Sequence, residues 1–178
     1  IVECADGVVS PGLINGHEHL NFAEGPPKAH PEERYDHRHD WRRGKNGHDR
    51  IPSPRNEGGN LGILWGELRH LMGGATTING SGGATGLLRN MDLNDPRQEG
   101  LGLNSVEYST FPLGDASGAT RTNDCNYASI DAPTETGIRD SVAYTPHISE
   151  GINIDARNEF LCLSRTANGG EDVILPKT

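Results

Sequence analysis

His17 and His19 stand two residues apart at the end of the run Ser10-Pro11-Gly12-Leu13-Ile14-Asn15-Gly16. Side chains at i and i+2 of a strand point to the same side, so both imidazoles can converge on one cation while Glu18 faces away. Two neutral imidazoles suit Zn2+ first, and Fe, Ni or Mn less strictly. The competing reading is two polar side chains at a strand end that need no metal. Far downstream, Tyr144-Thr145-Pro146-His147-Ile148-Ser149-Glu150 brings a third imidazole to the end of another short β-prone run, with a carboxylate three residues on. Glu150 also reads as an acid that favours the dipole of the helix expected just after it.

These groups need strands and helices to position them. Leu13 to Leu20 reads as a strand. From Asn21 to Gly59 the chain loses apolar periodicity and is dense in Pro, Gly, His, Arg and Asp, so it reads as one long loop. Leu61, Leu64, Trp65, Leu68, Leu71 and Met72 recur at helical spacing and end in Gly73-Gly74, which predicts an amphipathic helix over 59–72. Ala75 to Asn79 then reads as a strand, and strand, helix, strand in that order favours a parallel sheet. Further strands are expected at 105–111, weakly at 127–130, and at 142–147, with a helix over 154–163 and a strand beginning at Val173-Ile174-Leu175.

Pro11-Gly12-Leu13-Ile14-Asn15-Gly16-His17-Glu18-His19 resembles the PGLI(D/N)xHxH strand that opens the barrel of the amidohydrolase superfamily, and His147 to Glu150 resembles the HxxE that often ends its fifth strand. The resemblance implies an α/β fold, an incomplete (β/α)8 TIM-like barrel of about the first five to six strands. Residues 1–9 would be the end of a small preceding β-sandwich and 10–178 the N-terminal part of the barrel. It implies a divalent metal held by His17, His19 and His147. Glu150 would move protons between metal-bound water, substrate and leaving amine in a deaminase-like mononuclear hydrolase acting on C–N bonds of a small molecule. The family's strand-six histidine and strand-eight aspartate have no matching positions. This stretch alone is therefore expected to hydrolyse little, and to associate with the rest of its barrel or with a second copy. The runner-up is a non-catalytic half-barrel that serves as a binding or interaction module.

Other features carry less chemistry. His37-Arg38-His39, with His30 and His48 near it, lies in the long polar stretch and reads as a solvated loop that lines the pocket at most. His70 reads as a surface or packing residue of its helix. The cluster Gly80 to Gly86 is out of register with GxGxxG and lacks the lysine of a P-loop. Of Cys4, Cys125 and Cys162, none belongs to a zinc ribbon or CxxC pair. They read as buried or free thiols, a Cys125–Cys162 disulfide being the alternative if the protein is exported. A net charge of −9 with pI about 5.3 argues against nucleic acid and anionic membranes as partners. No apolar run reaches membrane-spanning length, so the chain reads as soluble, with the cytoplasm slightly ahead of the periplasm or exterior.

Overall fold

A computed structural model describes residues 3, 5–26, 28, 29, 32–52, 59–80, 82–92, 98, 100–128 and 132–174. In chain order the regular elements are β1 (Leu13–Asn15), α1 (Arg38–Arg43), α2 (Gly59–Met72), β2 (Ala75–Ile78), β3 (Arg89–Asn90), β4 (Glu107–Ser109), α3 (Ala132–Asp140), β5 (Tyr144–Pro146) and α4 (Ile154–Ser164), with short 3-10 turns between them. The fold is mixed α/β with small parallel sheets, and the described strands close no barrel. The chain divides into two compact units, each made from two separate segments.

The first unit comprises 1–24 and 56–103. Its sheet has the order β1-β2-β3, all parallel, with Leu13 opposite Ala75 and Asn15 opposite Ile78. Parallel strands need a crossover, and α2 supplies it between β1 and β2. The strand expected over 13–20 stops at Asn15, and the chain turns into a 3-10 turn at Leu20–Phe22. No strand occurs among the described residues before Leu13, where Val8 is 95% exposed.

Helix α2 has the bounds that the periodicity predicts but buries the opposite face. Gly62, Ile63, Gly66 and Glu67 are inside, whereas Leu61, Trp65, Leu68, Leu71 and Met72 are exposed. The cause is close approach. A Cβ on Gly66 would fall 2.7 Å from the Ala23 Cβ, and one on Gly62 would fall 2.4 Å from the Glu24 side chain. The two bare backbone positions, four residues apart and so on one face, let α2 settle onto the 20–24 turn. The core is correspondingly thin: Leu20, Ile63, Ile78 and Leu88.

The second unit comprises 25–55 and 104–178. Strands β4 and β5 run parallel, Glu107 opposite Tyr144 and Ser109 opposite Pro146, with α3 in the crossover. Helix α3 was not foreseen, because Pro133 and Gly137 disguise it. The core is Leu113, Ile138, Tyr144, Cys162, Leu163, Val173 and Ile174. Val173 and Ile174 form no strand but donate their backbone N–H groups to Leu163 O, while Leu175 lies outside the described residues. Tyr127 and Ala128 likewise form no strand, and 129–130 are not described. Cys125 and Cys162 are joined by a disulfide, the alternative to the buried or free thiols that the spacing favours; Cys4 lies outside the described residues.

The expected loop over 21–59 contains α1, and its start is buried: His37, Arg38, His39 and Asp40 are at most 5% exposed. A reciprocal cap explains the helix. His37 Nδ1 accepts the His39 N–H, Asp40 Oδ2 accepts the His37 N–H, and Gly44 at φ 66° ends the helix in the left-handed conformation. Among the described residues, no helix is long and apolar enough to cross a membrane.

Candidate metal-binding and acid/base groups

In the first unit the 16–19 turn is pinned to the end of β2. The Glu18 N–H donates to Asn79 O at 2.8 Å and Asn79 Nδ2 donates to Gly16 O at 3.3 Å. Gly80, at φ 134°, lies so close that a Cβ there would stand 1.7 Å from Glu18 O, so this crossing demands glycine. Glu18 turns back to hold its own surroundings, accepting from the His19 N–H at 2.9 Å and from Asn15 Nδ2 at 3.2 Å. It also pairs with His70 Nε2 at 2.9 Å, which gives His70 a supporting task that periodicity does not reveal.

The consequence is that His17 and His19 meet. Their Nε2 atoms are 3.0 Å apart just beyond the C-terminal end of a parallel strand. Two nitrogens held about 2.0–2.1 Å from one tetrahedral ion stand about 3.3 Å apart, so the pair fits a shared cation. A hydrogen bond from one ring to the other explains the same distance without an ion.

In the second unit His147 follows β5 directly. Its N–H donates to Ser109 O at 2.8 Å, and its Nδ1 lies 3.3 Å from the same carbonyl. A carbonyl only accepts, so Nδ1 is the donor in that contact, and in the neutral ring the lone pair is then on Nε2. That is the tautomer of histidines that bind metal through Nε2. Glu150, three residues on, is 39% exposed and gives Oε2 to Arg38 Nη1 at 2.6 Å. Ser149 between them is in the left-handed region at φ 56°, a conformation that costs a non-glycine residue about 1–2 kcal/mol and is kept only where the surroundings impose it.

Sequence reasoning missed the buried cluster around α1. His37, His39 and Glu159 are completely or almost completely buried, and their ligand atoms lie within 4.8 Å of one another, close enough to hold a metal ion. Their hydrogen bonds speak for a different use. His37 Nδ1 accepts from the His39 N–H, so its Nε2 is the donor to Glu159 Oε1 at 2.9 Å. His39 Nδ1 faces Arg42 Nε and Nη2, both donors, so its Nε2 donates to Asp115 Oδ2 at 2.8 Å. While those bonds stand, neither ring has a lone pair left for a cation.

Arg38 sits between the two histidines in sequence and pairs with both Asp115, at 2.6 Å, and Glu150. Burial lowers the Arg38 guanidinium's hold on its proton, but the carboxylates of Asp115 and Glu150 outweigh it and raise that hold above the ordinary value. Burial likewise pushes the Asp115 carboxyl up, while the His39 hydrogen bond and Arg38 together bring it below the usual carboxylate range. The signal available in the sequence was the pair His37 and Asp40 three apart, followed by Gly44: a cap and a stop around a short helix.

A scan against protein-family models and searches of curated proteins and of solved structures find no match to this chain.

Proposed function

We propose that this chain is part of a metal-dependent hydrolase of amidohydrolase type, built on a (β/α)8-like barrel and acting on a C–N bond of a small molecule. The observation that carries the reading is the 3.0 Å approach of His17 Nε2 and His19 Nε2 beyond β1. His17, His19 and His147 would hold one divalent cation, Zn2+ before Fe, Ni or Mn, and the tautomer of His147 supports its place in the set. Such a cation supplies Lewis acidity, which acidifies water and polarises a carbonyl or amidine carbon. Glu150 Oε2 is engaged by Arg38, so Oε1 is the oxygen that would take a proton from the attacking water and return it to the departing nitrogen. The Cys125–Cys162 bridge favours an oxidising compartment over the cytoplasm.

Titrating the chain with Co2+ and following visible absorption tests the metal assignment. One equivalent should bind, and a double variant carrying His17→Ala and His19→Ala should bind roughly 100-fold more weakly or not at all. Binding that is the same in the double variant, or absent in the unaltered chain, would overturn it.

A second reading, an interaction module that associates with another copy, is favoured by the exposure of Leu13 (65%), Ile14 (64%) and Trp65 (53%) in the first unit. Trp65 also shares one open hollow of this unit with Leu61, Leu64, Leu68 and Leu87, and contiguous apolar surface of that kind marks contact sites in soluble proteins. Sedimentation at micromolar concentration decides it: a dimer dispersed by Trp65→Lys supports the module, and a monomer removes it.

A further inference from the structure

Arg38 lies in a segment without apolar periodicity, yet its side chain is only 5% exposed. We infer that Arg38 is the positioning residue of the 147–150 turn, fixing through one nitrogen both the backbone of His147 and the carboxylate of Glu150. This rests on the proposed hydrolase site for its purpose, though the clamp itself is visible without it.

Three acceptors converge on Arg38 Nη1: Thr110 O at 2.8 Å, His147 O at 3.1 Å and Glu150 Oε2 at 2.6 Å. Nη2 is anchored on buried Asp115, and the Arg38 N–H donates to Glu150 O at 2.8 Å, so Glu150 is held by both its main chain and its side chain. The guanidinium also lies over the Phe111 ring at 4.9 Å, which sets its plane.

The remainder of the turn is over-determined in the same way. The Ser149 N–H donates to Glu159 Oε2 at 2.9 Å and its hydroxyl to Ala156 O at 2.8 Å, which hold it in its strained conformation. Gly151 pairs with His37, and a Cβ there would come within 2.5 Å of Asp36 O. A turn that served only to join β5 to α4 would not need a buried cation to fasten it. Lysine cannot replace the fork, because a single ammonium cannot span Asp115 and the Nη1 acceptors in one plane.

The test compares the unaltered chain with Arg38→Gln and Arg38→Lys by two measurements. In metal-free protein, NMR couplings report whether the Glu150 side chain occupies one rotamer. It should do so in the unaltered chain, average over several in the glutamine variant, and remain averaged in the lysine variant. With Co2+, the affinity should fall roughly 10-fold or more in the glutamine variant, the range for losing a group that orients a ligand, and less in the lysine variant.

A folded glutamine variant with a single Glu150 rotamer and unchanged Co2+ affinity would overturn the inference. If the glutamine variant does not fold, the lysine variant decides on the same two readouts. If the unaltered chain takes up no Co2+, or His147→Ala leaves uptake unchanged, the hydrolase reading fails. The rotamer measurement then judges the clamp by itself: one rotamer freed by Arg38→Gln upholds it, and a freely averaging Glu150 in the unaltered chain refutes it.

Discussion

The chain carries two His-x-His triplets with nearly the same ring geometry and different partners for their ring nitrogens. His17 and His19 have ring centroids 5.0 Å apart at 53°, and His37 and His39 are 4.9 Å apart at 48°. What separates them is where the ring nitrogens point. In the first triplet the two Nε2 atoms face each other on an accessible turn. In the second, each Nε2 is delivered to its own buried carboxylate and each Nδ1 to a donor. The intervening residue follows suit: Glu18 folds back onto its own turn, and Arg38 reaches across to Asp115 and Glu150. Spacing offers a chelate; the partners of the second nitrogen decide whether a lone pair remains to use.

The contrast is most easily broken at Asp115. Removing it by Asp115→Ala leaves Arg38 half-paired and His39 without its acceptor in a buried site, a change that costs roughly 3–5 kcal/mol. Denaturant unfolding followed in α4 should register that loss. His17→Ala with His19→Ala should move the unfolding of either unit by less than about 1 kcal/mol, as surface substitutions do. Equal effects would erase the distinction between the triplets.

Reducing Cys125–Cys162, which spans 37 residues, should lower the stability of the second unit by about 2–4 kcal/mol. Amide exchange should then accelerate in α4 and remain unchanged in α2; uniform acceleration would mean that the two units do not open independently.

The smallest effect is the pH dependence. Because the Asp115 carboxyl is held below its ordinary range, its contribution is fully present above the unfolded value of about 3.9 and is lost as pH falls through the lowered native value. The unfolding midpoint of the second unit should decline below about pH 4, and the decline should flatten in Asp115→Asn. An unchanged decline in that variant would assign the acid sensitivity to other carboxylates.

Much of the fold was legible where period and punctuation agreed. The range of α2, the strand after it, the run ending at Pro146 and the helix after Asn153 all follow from apolar spacing and stop residues. The side of α2 that is buried was not legible. Hydrophobic spacing assumes that the core lies under the large side chains, whereas Gly62 and Gly66 offer a closer approach than any leucine permits. The approach of His17 to His19 was readable because the two stand two residues apart just after an apolar run. His37, Arg38 and His39 were not, because their burial is satisfied by Asp115 and Glu159, residues too distant for any local window to connect.

That distance has a consequence for how the chain emerges during synthesis. Arg38 precedes Asp115 by 77 residues, and His37 precedes Glu159 by 122. At about 5–20 residues per second, His37 waits roughly 6–24 s for its partner to be made. In that interval the whole of 56–103 is produced and can close the first unit with the segment that came before. A ribosome-bound chain stopped near residue 140, with 1–103 clear of the exit tunnel and Asp115 still inside it, would therefore hold a folded first unit while His37, Arg38 and His39 stay hydrated. The same charges that fasten the finished turn would keep the waiting segment soluble until its acids arrive.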